Sequence, residues 1–322
     1  MKTIVASAPG KLMLTGSYAV VHGEPCVVTA VDQRLYVSVR KRKDKIFDLH
    51  APDLKLKAYS KAILELENTA LPQEKAVRFV ETLYKNFLKK YPQDHGISVT
   101  TKSDFSSSFG FGSSSAVTVA FAKALLELYG IKKSKKQLFD ICYETVIEVQ
   151  GVGSGFDIAS AIWGGTIKYL SPAKVINKIN IKNLNLVVGY TGMKADTPTL
   201  IRMVNKSLDD NPEKIKKTFK QIGGISNKLA LALEKNSKKE IGKLFNDHQQ
   251  EVRSLGVSSA DLEKLILASL DAAALGASLS GAGGGDCMFA LVDSKNIEIL
   301  DLSGSNVKNL SFSKELKKIK IL

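Results

Sequence analysis

Phe109-Gly110-Phe111-Gly112-Ser113-Ser114-Ser115-Ala116 is the stretch from which the rest of the chain is read. Beyond it, Val117, Phe121, Leu125 and Leu128 recur with the spacing of one helical stripe, and Gly130 stands where a C-terminal cap belongs. The pattern predicts a core helix from Ser115 to Tyr129 with a glycine-rich approach. Glycine lets backbone come close to a ligand, and the first turn of a helix carries amides with no intrahelical partner. Those donors and the positive end of the helix dipole favour a phosphate. The hydroxyls of Ser113, Ser114 and Ser115 add donors or a magnesium ligand. Taken alone, the same residues also describe an ordinary serine-capped helix. The pattern GxxxxGK[ST] occurs nowhere, so a phosphate cradle here is of another kind.

Downstream, a second helix is expected from Lys136 to about Val149, with Leu138, Ile141, Cys142 and Thr145 facing one way and Glu144 and Glu148 another. Gly151, Gly153 and Gly155 end it. Leu184–Tyr190 reads as a buried strand, and helical patterns fill most of 198–275, where Ser258 and Asp261 resemble a capping box. Upstream, Leu35–Val39 and Gly96–Thr100 read as strands. Strands and helices alternate without a regular βα period, which favours an α+β fold. The division into domains is expected near residue 180, giving 1–180 and 181–322.

Two further segments and one carboxylate carry chemistry. Gly281-Ala282-Gly283-Gly284-Gly285-Asp286 follows Ser280 and runs into the apolar Cys287–Val292. So many small residues before a buried strand imply either a tight connection or a loop whose backbone touches a ligand. In Ala8-Pro9-Gly10-Lys11-Leu12, Lys11 stands between a turn and an apolar run, where a lone lysine would ordinarily be solvated. Asp157 lies among apolar residues that predict burial, and a buried carboxylate needs a partner or a task. It would otherwise cap the segment that follows. Phosphoryl transfer to an alcohol needs a group to orient or receive the hydroxyl proton, and Asp157 with Lys11 forms the obvious pair.

The 322 residues, 44% hydrophobic and 24% charged, suit a globular protein of one large or two smaller domains. Net charge is +14, which favours anionic partners. Lysines are nonetheless spread along the chain, with local crowding at 132–136 and 314–320, and no basic stretch alternates with aromatics as single-strand binders require. Cys26, Cys142 and Cys287 are far apart and lack metal or disulfide spacing, which suits a reducing cytoplasm. No segment offers the roughly 18 uninterrupted apolar residues of a spanning helix. Small molecules, rather than nucleic acid or membrane, are the expected partners. The sequence leaves the oligomeric state open, a homodimer included.

In this order the three segments resemble the signature motifs of the GHMP kinases: Ala8–Lys11 the first, Gly110–Ala116 the second and Ser280–Cys287 the third. The resemblance implies a GHMP kinase fold, with an S5-like N-terminal ATP-binding domain and a ferredoxin-like C-terminal domain. It implies ATP and Mg²⁺ as cofactors, Lys11 and Asp157 as the catalytic pair, and Gly110, Phe111, Gly112, Ser113, Ser114 and Ser115 around the phosphates, with Ser114 on the metal. Tyr18, His22, Gly281, Ala282 and Gly283 then lie near the substrate. Ala19–Gly23, Leu255–Ser258 and Ala274–Ala277 resemble the members that phosphorylate mevalonate in isoprenoid biosynthesis. Gly153–Asp157 and Gly285-Asp286-Cys287 are similar instead to those that act on 5-phosphomevalonate. Ser17 stands where the family usually has glutamate, and Val146 where a magnesium-binding glutamate is usual. Mevalonate is the expected acceptor, with Lys194 contributing to its carboxylate. The contrasting expectation is a non-catalytic nucleotide- or nucleic-acid-binding protein.

Overall fold

Leu35, Val37 and Val39 are buried while Tyr36 and Ser38 between them are half-buried, the period of two that makes a strand with one face in the core. The computed structural model of the protein describes residues 2–54, 56–68, 71–72, 74–182, 184–293 and 317–319. Two compact units share the chain. The first comprises Met1–Gly10, Gln33–Ser107 and Gly112–Gly164; the second comprises Lys11–Asp32, Ser108–Phe111 and Gly165–Leu322.

The first unit takes the opening of β1 (Thr3–Thr15) and the end of β2 (Cys26–Lys41). It also holds β3 (Ile46–Ala51), β4 (Leu56–Ala62), α1 (Ile63–Asn68), α2 (Lys75–Lys90), β5 (Ile97–Ser103), α3 (Ser113–Leu128), α4 (Lys135–Gln150) and α5 (Phe156–Trp163). Its part of β2 runs antiparallel to β5, β5 parallel to β3, and β3 antiparallel to β4. Phe47 stacks on Tyr84 at 5.3 Å, and Tyr84 meets Phe121 at 6.5 Å, joining sheet to helices through one aromatic core. α3 packs against α2, α4 and α5, so it is buried nearly all round rather than along a single stripe. Val117 and Leu128, expected in the core, are only half-buried. α4 starts on a capping box in which Ser134 and Gln137 each satisfy the other's backbone.

The second unit takes the end of β1 and the start of β2. It adds β6 (Thr166–Leu170), β7 (Val175–Ile179), β8 (Leu186–Tyr190), α6 (Thr197–Asp210), α7 (Pro212–Glu234), α8 (Lys238–Ser254), α9 (Ala260–Asp271), β9 (Gly276–Leu279), β10 (Cys287–Leu291) and β11 (Lys317–Ile319). A four-stranded antiparallel sheet is ordered β11-β8-β10-β9. Its core joins Phe219, Ile222, Val252, Leu262, Leu265, Leu279 and Met288. The α+β reading holds in both units.

Two local expectations change. The cap of α9 is Ser259, whose hydroxyl accepts from Leu262 N–H at 3.4 Å, while Ser258 accepts from Gln249 Nε2 at 2.9 Å, and the helix stops at Asp271. Tertiary pairing has claimed the residue that spacing alone would select. Pro9 and Gly10, expected in a turn, lie inside β1. Of the lysine-rich stretch 314–320, all but the backbone of 317–319 lies outside the described residues.

Candidate active site

In the second unit, Lys11 is 8% exposed, so the solvated position usual for a lone lysine does not apply. Its amide donates to the Phe111 carbonyl at 3.0 Å and its Nζ to the Gly110 carbonyl at 2.8 Å, fixing the lysine to the glycine-rich stretch at two points. The third segment arrives beside it: a Cβ built on Gly281 would lie 4.0 Å from Lys11 Nζ. Met13 N–H donates to Ser280 Oγ at 3.0 Å, and Tyr18 OH donates to the Ala282 carbonyl at 2.6 Å. Tyr18 keeps a φ of 61°, a strained conformation for an aromatic residue, and burial pushes its phenol well above the usual range. Gly283 turns inward, where a Cβ would strike the Val257 carbonyl at 2.2 Å. One packed corner thus collects Lys11, Gly110, Phe111, Tyr18, Gly281, Ala282 and Gly283.

His22 makes a contact of its own. Its exposed ring stacks on Phe219 at 4.4 Å, and burial of one face lowers its basicity. Lys194 is exposed, but its backbone lies on the third segment, with its carbonyl carbon 3.3 Å from a Cβ built on Gly285. Ser17 is buried and gives its hydroxyl to Met13 Sδ at 3.5 Å, so it packs in where a glutamate is usual.

Sequence reasoning missed two residues here. His248 is buried in α8; its Nε2 accepts from Gly16 N–H at 3.3 Å, which leaves Nδ1–H for Ser278 Oγ at 2.9 Å. Nothing in the spacing of α8 marks it, because its partners are 232 and 30 residues away. Asp286 is the other, noted in the sequence only as part of a motif and given no role. The buried Cys287 thiol, pushed up to about 12 by burial, senses Lys11 and Asp286 with opposite signs, which places both charges near it.

In the first unit, α3 begins at Ser113 rather than Ser115, with Gly112 at its N-cap at φ 72°. Glycine has no side chain to accept from the first turn, so the serine-capped alternative fails and the leading amides keep no side-chain acceptor. Ser113 and Ser114 are half-buried; the Ser115 hydroxyl is buried and among the described residues has no hydrogen-bond partner. These are the donors a phosphate would satisfy.

Asp157 occupies the first turn of α5, capped by Gly155 at φ 80°, so it does not cap the helix itself. It is half-buried rather than buried, and Oδ1 accepts from Ile158 N–H at 3.2 Å. A carboxylate in a first turn is favoured by the helix dipole. Val146 is 4% exposed on α4 and cannot ligate a metal. Glu144 and Glu148 are exposed, and Glu148 accepts from Asn86 Nδ2 at 2.7 Å. Among the described residues no group of three His, Cys, Asp or Glu is arranged for a metal.

Comparison with known proteins bears on the family and the fold. The family model described as GHMP kinases N terminal domain matches residues 74–165, and that described as GHMP kinases C terminal matches residues 229–300. The mevalonate kinase of Pyrococcus furiosus is 32% identical over 306 residues, 92% of this chain and 91% of that protein. Two solved structures share the fold. The mevalonate kinase of Methanococcus jannaschii has TM-score 0.82 and 22% identity, over 100% of this chain and 97% of that one. The phosphomevalonate kinase of Streptococcus pneumoniae, in complex with phosphomevalonate and AMPPNP, has TM-score 0.79 and 19% identity, over 99% and 100%. Both halves of the family signature are present, and a relative is similar across nine-tenths of its length, so the chain belongs to the GHMP kinase family.

Proposed function

We propose that this protein transfers the γ-phosphoryl group of ATP to the hydroxyl of mevalonate, giving 5-phosphomevalonate and ADP. The observation that carries the reading is the Lys11 Nζ bond to the Gly110 carbonyl, in the stretch that runs into the uncapped turn of α3. Gly110–Ser115 bind the phosphates through backbone amides and serine hydroxyls. Lys11, held in place by its two bonds, offsets charge that develops on the transferring group. Asp157 orients the acceptor hydroxyl and takes its proton as the oxygen–phosphorus bond forms and the bond to ADP breaks. Ser114 would hold a Mg²⁺ together with the nucleotide oxygens and water, and the ion would neutralise charge on the triphosphate.

The choice of mevalonate follows the Pyrococcus furiosus relative and the supply of charge. A phosphorylated acceptor brings about −1.5 to −2 further charges near neutral pH and calls for several cations or an arginine fork. The loop on the third segment offers Lys194 alone. A coupled ADP-release assay over mevalonate, 5-phosphomevalonate, galactose and homoserine tests the reading, with mevalonate expected to give the highest kcat/KM. Turnover of 5-phosphomevalonate with mevalonate ignored would mean that Gly153–Asp157 and Asp286 were the truer guides. No turnover, together with filter retention of nucleic acid that weakens steeply with salt, would favour the binding-protein reading.

A further inference from the structure

Asp286 adopts φ 54°, in the left-handed region where glycine sits without cost and other residues are strained. Three glycines precede it, so its side chain is the exception in the segment. The surroundings show what that side chain holds. β8 and β10 pair as far as Tyr190 and Cys287, and Asp286 extends the pairing into the loop that follows β8. Thr191 N–H donates to the Asp286 carbonyl at 3.0 Å, and Asp286 N–H donates to the Met193 carbonyl at 2.8 Å. Ala195 N–H donates to Asp286 Oδ1 at 3.0 Å, a bond that requires the side chain. The glycine before it presses on the same loop: a Cβ on Gly285 would lie 2.8 Å from the Met193 carbonyl oxygen, while one on Gly284 would lie 2.7 Å from Leu200 in α6.

On its other side Asp286 meets the phosphate stretch. A Cβ on Gly110 would sit 2.9 Å from Asp286 Cβ and 3.1 Å from Oδ2, and Gly110 is the residue whose carbonyl holds Lys11 Nζ. The carboxyl group thus lies between the Gly110 stretch, whose carbonyl accepts from Lys11, and the loop 191–196 that carries Lys194.

We infer that Asp286 is a positioning residue for the acceptor: by clamping Ala195 against Gly110 it fixes loop 191–196, and with it Lys194, at a set distance from Lys11. The inference rests on the proposed kinase reading and assigns the clamp to the Oδ1 hydrogen bond rather than to the negative charge. Asparagine keeps that acceptor and tolerates a left-handed backbone, whereas glycine removes the clamp while relieving the strain.

Two variants test it. One net hydrogen bond corresponds to about a 5- to 10-fold effect. Asp286→Gly should raise the acceptor KM by that factor, with kcat and the nucleotide KM within about 2-fold, and should speed amide hydrogen exchange across 191–196 by a similar factor. Asp286→Asn should restore both readouts. In a Lys194→Ala background, Asp286→Gly should add little to the acceptor KM, because the clamp acts through that lysine. Equal defects in the Asn and Gly variants would show that charge matters and overturn the inference, as would unchanged exchange in Asp286→Gly. An enzyme inert toward every acceptor would instead sink the kinase reading, and the exchange comparison would still decide whether the clamp exists.

Discussion

Lys11 gives its Nζ to a backbone carbonyl from an almost buried position, so its charge is aimed and not dispersed in water. Asp157, in contrast, sits half-exposed in a first turn with a single local hydrogen bond, which leaves its carboxylate available to a hydroxyl. Neither group is a filler of the core, so their removal should be felt in rate before stability. Lys11→Met and Asp157→Asn should each lower kcat by about 10²- to 10⁴-fold with the melting temperature nearly unchanged. A variant of either kind that turns over at near the parental rate would strike that residue from the mechanism. Residue type and motif order sufficed to single out both positions. The environments were not legible, because Lys11 is buried by Gly110, 99 residues away, and the exposure of Asp157 depends on how α5 lies.

At the scale of elements, the start of α3 depends on Gly112. Its φ of 72° is unfavourable for a β-branched residue, and a side chain there would stand in front of the amides assigned to the phosphates. Gly112→Val should therefore weaken nucleotide binding by about 10-fold or more while leaving the acceptor KM within about 2-fold. Titration calorimetry with a non-hydrolysable nucleotide that shows parental affinity would reduce the stretch to a connector. Helical spacing revealed α3 and α4 to within two residues because their sequences carry both apolar period and glycine stops. It failed at the start of α9, where Ser258, the cap expected from spacing, accepts from Gln249 and Ser259 caps the helix instead. It failed too at Pro9–Gly10, which read as a turn and lie within a strand. Asp286 registered only as a family resemblance, because its bond to Ala195 spans 91 residues.

For the whole molecule, the net charge of +14 makes acid conditions costly, since each proton taken up adds to self-repulsion. His248 sharpens that dependence. It is fully buried with its two ring nitrogens committed to Gly16 and Ser278, and desolvation lowers it from 6.5 to about 3. The folded state therefore keeps the ring neutral over a range in which the unfolded chain protonates it. Its contribution is full above pH 6.5 and falls by about 1.4 kcal/mol per pH unit below that, until the folded ring itself titrates near pH 3. Glu251, on the same helix, has its carboxyl raised by burial and by Asp247, and acts with the opposite sign. Comparison with His248→Gln isolates the histidine, because both proteins share every other group. At neutral pH the variant should be less stable by about 1 kcal/mol for the altered hydrogen bonds. Its urea midpoint should then change less between pH 6.5 and about pH 5, so that the two stability curves approach and cross within that range. Parallel curves over that range would show that His248 is protonated or reached by water in the folded protein, and that the link it makes between Gly16 and Ser278 is not the one described.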